Sequence, residues 1–157
     1  MRKQNLPPIF LFAVDTCIDE DELGALKESI TMSLSLMPPS ALVGLITFGR
    51  HVQVHVLASE GMRKQFVFPG QKDQTAKSVQ EFLGVGLKAA QSQGAGPNQA
   101  AHMTNRFLQP VQSCEMALTD ILADLRRDPW PIATGKRSLR ATGAALSIAI
   151  GLLEVTW

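Results

Sequence analysis

The sequence predicts an α/β fold with a mostly parallel sheet flanked by helices. Two continuous apolar runs, Ile9–Val14 and Ala41–Phe48, are typical of strands that are buried on both faces. Between these runs, apolar residues recur every three or four positions from Leu23 to Met37, which indicates an amphipathic helix. A strand, a helix and a second strand in this order predict a right-handed crossover between parallel neighbours, with the first strand near the centre of the sheet.

Local signals mark both ends of this first helix. Asp19 stands three residues before Glu22, which is the spacing of a capping box, and the acidic first turn suits the positive end of the helix dipole. Pro38 and Pro39 then end the helix, because the residue before a proline is disfavoured in helical conformation.

The residues after the second run predict a hairpin. Gly49-Arg50 supplies a turn, and Val52–Val56 alternates valine with the polar Gln53 and His55. This alternation indicates a half-exposed strand at an edge of the sheet. His51 and His55 would share one face of that strand about 13 Å apart, so a single zinc ion could not bridge them.

Three further helices follow along the chain. Thr75 is a cap for a short helix that Gly84 ends, and Pro110 precedes a stripe of apolar residues that runs from Val111 to Leu125. The last helix, Ala141–Glu154, is apolar nearly all round, so we expect it to be covered on every side.

Composition excludes several classes of protein. Lys and Arg total 15 against 14 for Asp and Glu, which excludes a nucleic-acid binder that acts through bulk charge. The two cysteines cannot form a disulfide framework, which favours a reducing compartment. No apolar run reaches the roughly 18 residues of a membrane helix. We therefore expect a cytoplasmic protein, which could still associate with a membrane peripherally.

The domain organisation predicted from the sequence is simple. Residues 1–7 form a short N-terminal segment, residues 8–157 form one partial domain, and residues 91–105 form a mobile loop rich in Gln, Gly, Ala and Asn. A strand such as Ile9–Val14 needs neighbours on both edges, and the chain offers too few strands to supply them. We therefore expect the sequence to be part of a longer domain that is incomplete on its C-terminal side.

The most suggestive polar cluster follows the first strand, at Asp15-Thr16-Cys17-Ile18-Asp19. It occupies the place of the Asp-x-Ser-x-Ser metal motif of von Willebrand factor type A domains, and Thr142 resembles the threonine that a second loop adds to that motif. Cys17 and Asp19 replace the two serines, and a thiol is a poor ligand for magnesium or manganese. We therefore expect a degenerate metal motif, in which Asp15 bonds the backbone of its own turn.

Cys17 also invites comparison with a catalytic nucleophile, because it follows a buried strand. A nearby helix N-terminus would lower its pKa, whereas the neighbouring acidic residues would raise it. No histidine lies close in sequence to act as a base, and no oxyanion arrangement can be identified. A small α/β enzyme that uses Cys17 is thus the weakest of the functional hypotheses.

A series of longer motifs resembles one family. The sequence is similar, over roughly residues 8–154, to the trunk domain of the Sec-twenty-three family, the COPII coat protein that activates the Sar GTPase. The matching stretches are Val14–Cys17, Leu26–Ser29, Met32–Leu36 with Pro38-Pro39, Ala41–Arg50, Val52–His55, Ala76-Lys77, Asn105–Gln112, Asp128–Pro131, Gly135–Arg137 and Gly143–Glu154.

The resemblance implies a von Willebrand factor A-like, Rossmann-like trunk and a role in transport from the endoplasmic reticulum to the Golgi. It implies a peripheral inner-coat subunit on the cytosolic face of the endoplasmic reticulum and on COPII vesicles. This subunit pairs with a cargo-binding sister subunit, binds Sar and accelerates GTP hydrolysis.

In that family an arginine from an all-helical domain enters the GTPase site. Neither that domain nor the zinc ribbon matches any part of this sequence. We therefore expect no catalytic residue and no cofactor in this chain, which reads as a fragment of the activator. The alternative hypothesis is a von Willebrand factor A-type module that binds a protein ligand through a divalent cation.

Overall fold

The computed structural model describes residues 7–58, 63–84, 106–137 and 139–154. The predicted segment 1–7 lies almost wholly outside the described residues, and the predicted mobile loop 91–105 lies wholly outside them. The elements, in chain order, are β1 (Ile9–Asp15), α1 (Glu20–Leu36), β2 (Leu42–Phe48), β3 (His51–Val56), β4 (Lys64–Pro69), α2 (Ala76–Leu83), β5 (Gln109–Pro110), α3 (Val111–Asp124) and α4 (Thr142–Glu154).

The β1–α1–β2 unit has the predicted form. β1 and β2 are parallel, with Ile9 opposite Leu42 and Asp15 opposite Phe48. α1 begins after Asp19 and ends at Leu36, directly before Met37 and the two prolines. The Asp19 side chain makes no capping hydrogen bond, so the acidic first turn, rather than a capping box, marks this helix start.

The prediction of a mostly parallel sheet is wrong in this detail, although the α/β class is confirmed. The other three strand pairings among the described residues, β2 with β3, β2 with β5 and β3 with β4, are antiparallel. The connections explain two of these three pairings. A parallel neighbour needs a crossover of a dozen or more residues, whereas two residues separate β2 from β3 and seven separate β3 from β4.

The positions of β1 and β3 within the sheet also differ from the prediction. The strand order is β1-β2-β3-β4, so β3 lies inside the sheet rather than at an edge. Among the described residues β1 pairs with β2 alone and is an edge strand, not a central one. Its Phe10 side chain is accordingly 40% exposed.

Helices cover the two faces of the sheet and produce two cores. One core joins the sheet to α1 and α3, through residues such as Leu34, Leu45 and Leu118. The other joins the sheet to α2 and α4, through residues such as Ile46 and Ile148. The result is a three-layer α/β/α arrangement.

α4 is only partly covered. Ala144, Ile148 and Leu152 are buried, but Leu146 and Ile150 are 57% and 56% exposed. The prediction that this helix is covered on every side is therefore wrong for the described part of the chain. Its outer face remains apolar and open.

Candidate functional site

The loop after β1 is organised around an ion pair. The Asp15 Oδ1 atom accepts a hydrogen bond of 2.8 Å from the backbone N–H of Cys17, as predicted for its own turn. Its Oδ2 atom lies 2.8 Å from Nε of Arg140. The Nη2 group of Arg140 also donates to the Cys17 carbonyl at 3.0 Å. One guanidinium therefore neutralises Asp15 and ties this loop to the segment before α4.

The four positions of the degenerate metal motif do not form a ligand set. Cys17 is buried, Thr142 is exposed at the start of α4, and Asp19 points outward, 4.0 Å from Arg127. Asp15, the remaining carboxylate, already holds Arg140. Within the described ranges no group of three or more His, Cys, Asp or Glu residues is placed to hold a metal ion. This arrangement does not favour a cation-dependent binding module.

Asp128 is a structural centre that sequence reasoning missed. Its carboxylate accepts hydrogen bonds from the backbone N–H groups of Arg50 at 2.6 Å and Trp130 at 3.1 Å. Its own N–H donates to the Thr16 carbonyl at 2.9 Å. Asp128 thus joins the end of β1, the β2–β3 turn and the segment after α3. The available signal was the Asp128-Pro129-Trp130-Pro131 stretch, in which an aspartate precedes two prolines that follow the preceding helix.

The environment of Cys17 opposes thiolate formation. Burial raises the pKa of the thiol above its ordinary value, and the negative charges of Asp128 and Asp15 raise it further. The Arg140 charge lowers it, but less. The sulfur atom lies 3.7 Å from both Asp128 Oδ2 and the Leu139 carbonyl oxygen. A raised pKa disfavours the thiolate, which is the nucleophilic form of cysteine.

A cleft of about 330 Å³ lies beside this junction, over the polar face of β3. His51, Gln53 and His55 alternate with buried valines along the strand and line the cleft. The His55 ring is buried, and its Nε2 atom lies 2.9 Å from the Thr47 hydroxyl. Burial lowers the pKa of His55 to about 4, so the imidazole is neutral at physiological pH.

The mouth of this cleft is basic. Arg63, Lys64, Arg126 and Arg127 line it, together with two carboxylates, Asp124 and Asp128. Arg63 forms an ion pair with Asp124, which leaves an excess of positive charge.

Trp130 forms one wall of the same cleft. It meets the His51 ring edge-on at a centroid distance of 5.5 Å, and the Arg50 guanidinium lies 4.9 Å from its ring centroid. A second cleft, of about 300 Å³, lies on the other side of Trp130 and contains Cys17, Lys136 and Arg137.

The comparisons with known proteins identify the family. A family model described as the Sec23/Sec24 trunk domain matches residues 5–157, nearly the whole chain, which confirms the resemblance that the sequence motifs indicate. Proteins of this family are cytosolic coat components that associate with other coat subunits. In the part of the chain that the structure describes, no helix is long and apolar enough to cross a membrane. This chain therefore belongs to the Sec23/Sec24 trunk domain family and is a component of the COPII vesicle coat.

Proposed function

We propose that this chain is trunk sequence from the GTPase-activating subunit of the inner COPII coat, and that it acts there as a scaffold. The observation that carries the proposal is the Asp128–Pro131 stretch. It belongs to the motifs that resemble the activator branch, and its first residue joins three separate segments of the fold. A rigid junction suits a domain whose task is to present surfaces to other coat subunits.

The partners that we propose are the cargo-binding sister subunit and GTP-loaded Sar, at the cytosolic face of the endoplasmic reticulum. The membrane association is peripheral. We propose no cofactor for the trunk, and no catalytic role.

The geometry around Arg140 supports the non-catalytic role. An arginine finger has to reach a partner's active site, where it stabilises charge in the transition state. Arg140 instead holds Asp15 and the Cys17 carbonyl. Arg140 is thus engaged within its own domain, and we propose that the activating arginine lies elsewhere in the coat subunit.

A binding experiment tests the branch assignment. The 157-residue chain, immobilised through a terminal tag, is offered the purified cargo-binding subunit and the purified activating subunit in separate runs. A chain from the activator branch should bind the cargo-binding subunit and not the activating one. The reverse preference would assign the chain to the cargo-binding branch and overturn the proposal.

A phosphate-release assay tests the scaffold role. Arginine fingers contribute about 10³ to 10⁵ in rate, so an intact activator is easily detected. The chain should leave the GTP hydrolysis rate of Sar unchanged, while the intact activating subunit stimulates it in a parallel reaction. Clear stimulation by the chain alone would show that it carries the catalytic group.

Among the described residues β1 has a strand along one edge only, which supports the proposal that this sequence is a portion of the trunk. β1 pairs with β2 along one edge. The helix α4, which packs against the sheet, exposes Leu146 and Ile150 to solvent. An additional strand on the free edge would continue the sheet and bring more of the chain over this apolar region.

A further inference from the structure

We propose that the cleft over the polar face of β3 binds a phosphate monoester dianion. The inference does not depend on the coat role proposed above, since it rests on the lining of the cleft alone. The site consists of the His55–Thr47 pair at its base, Arg126, Arg127 and Lys64 at its mouth, and Trp130 at one side.

The base of the cleft offers polar groups in a protected position. Thr47 is 2% exposed and His55 is 6% exposed, and their polar atoms lie 2.9 Å apart. Gln53 lies between His51 and His55 on the same strand and also lines the cleft. The Thr47–His55 pair keeps one donor beyond the hydrogen bond between its members, and the Gln53 amide can also donate to the oxygen atoms of a ligand. Because His55 is neutral there, the base itself adds no charge.

The mouth supplies the charge that an anion needs. Of the two carboxylates in the cleft, Asp124 pairs with Arg63 and Asp128 accepts from two backbone N–H groups. Among the described residues Arg126 and Lys64 have no ion-pair partner, and Arg127 has only the 4.0 Å approach to Asp19. Positive charge is thus concentrated here, although the whole chain carries a net charge of only +1.

Geometry favours a phosphate monoester over a simple carboxylate. The guanidinium groups of Arg126 and Arg127, which both line the cleft, can each present a planar pair of donors to a dianion with several acceptor oxygens. The cleft of about 330 Å³ lies within the usual range for small-ligand sites and has room for an organic substituent. Trp130 offers that substituent an apolar surface, since its side chain is 49% exposed.

The experiment uses the 157-residue chain and three probes. Inorganic phosphate and inositol 1-phosphate are titrated in solution, with tryptophan fluorescence and calorimetry as the readouts. Vesicles of phosphatidylcholine, with and without phosphatidylinositol 4-phosphate, are tested by sedimentation. Saturable binding of inositol 1-phosphate indicates a soluble ligand, and binding to the phosphoinositide vesicles alone indicates a lipid headgroup. Either result supports the dianion site and assigns its source.

Two arginine variants provide the matched comparison. Arg126→Ala should weaken binding at least about tenfold, which is the loss expected when charged hydrogen bonds are removed. Arg137→Ala removes another exposed arginine, which lines only the neighbouring cleft, so it should leave binding unchanged. Thr47→Val should also weaken binding, and Thr47→Ser should restore it. Failure of all three probes to bind, or equal losses in the two arginine variants, would overturn the proposal.

Discussion

The carboxylate oxygen Oδ2 of Asp128 lies 2.6 Å from the backbone nitrogen of Arg50, although the two residues are 78 positions apart in the chain. The same carboxylate fills the space that a β-carbon would occupy at Gly49, and the Thr16 hydroxyl lies 2.9 Å from that position. This contact closes the junction between β1, the β2–β3 turn and the segment after α3. It also leads to a quantitative prediction.

Removing the Asp128 carboxylate should destabilise the fold. Asp128→Ala leaves the N–H groups of Arg50 and Trp130 without their charged acceptor, which costs about 1.5–3 kcal/mol of unfolding free energy. Asp128→Asn keeps one acceptor oxygen and should cost less. Denaturant unfolding measures both, and Asp120→Ala, which removes an exposed carboxylate on α3, is the control. A loss for Asp128→Ala no larger than that of the control would contradict the assigned role.

The close approach at Gly49 gives a second form of the same test. Gly49→Ala places a methyl group against the Asp128 carboxylate and should destabilise the chain on its own. In an Asp128→Ala background that methyl group has more room, so its cost should fall. A double-mutant cycle measures the coupling between the two sites. Strictly additive effects would indicate that the two residues do not compete for this space.

The Asp15–Arg140 ion pair predicts that this loop takes up no magnesium or manganese at millimolar concentration. The arginine already neutralises the carboxylate, and the thiol at Cys17 is a poor ligand for these hard cations. Calorimetric titration of the folded chain with each metal is the measurement. Saturable uptake that Asp15→Asn abolishes would reject this prediction and favour the cation-dependent binding module.

The Cys17 thiol should react slowly with disulfide reagents in the native state. Burial is the largest cause of its raised pKa, and the Asp128 charge is the next. Kinetics are followed in a Cys114→Ser background, because Cys114 is the other free cysteine. Asp128→Asn removes one raising charge and should speed the reaction, whereas Asp120→Asn should not. Native Cys17 reacting as fast as the thiol of the unfolded chain would point back to a nucleophile.

His55 should make the stability of the fold depend on pH between about 4 and 6.5. Its folded pKa of about 4 lies below the ordinary value of 6.5, so in this window the unfolded chain binds the proton more readily. The stability that the fold gains by keeping His55 neutral is fully present above pH 6.5 and is lost as the pH falls towards 4. It amounts to about 2 kcal/mol between pH 7 and pH 5.

The variant that isolates this effect is His55→Asn, which replaces the imidazole with a side chain that does not titrate. Unfolding free energies of the wild type and the variant are compared at pH 7 and pH 5. Most carboxylates remain ionised at both pH values, so their contribution to the difference is small. The loss on acidification should be smaller in the variant by about 2 kcal/mol. Equal losses in the two proteins would mean that His55 is not held neutral by burial.

Sequence reasoning recovered the elements better than the contacts between them. The crossover from β1 to β2 and the bounds of α1 follow from local periodicity and from residues such as Pro38, so they could be predicted. The antiparallel pairing of β4 was available in principle from the short connection before it. The prediction missed this pairing because it assumed that the parallel arrangement of β1 and β2 continues through the whole sheet.

The candidate site was less predictable, for a physical reason. The Asp15 turn is local and was predicted, but Arg140 reaches the Cys17 carbonyl across 123 positions in the chain. Contacts between a side chain and a distant backbone group leave no periodic signal. The alternation along β3 likewise predicted a polar face, yet only the structure shows that the segment with Trp130 closes that face into a cleft.

In the part of the chain that the structure describes, one edge of β1 has no strand beside it, and this edge predicts self-association of the chain. An apolar edge strand presents unpaired backbone groups to other strands, and natural proteins protect such edges with charged residues, above all lysine. β1 carries no charge between Pro8 and Asp15, and the Ala13 side chain is exposed. Wild-type chain should therefore form dimers or larger species as its concentration rises, as measured by sedimentation velocity. Ala13→Lys should shift this equilibrium towards monomer, whereas Ala25→Lys, at an exposed position of α1, should not. Hydrogen exchange of the β1 amides should become slower as the protein concentration rises in the wild type and in Ala25→Lys, but not in Ala13→Lys. A monomer at every concentration, or the same response to both lysines, would show that the edge is protected in another way.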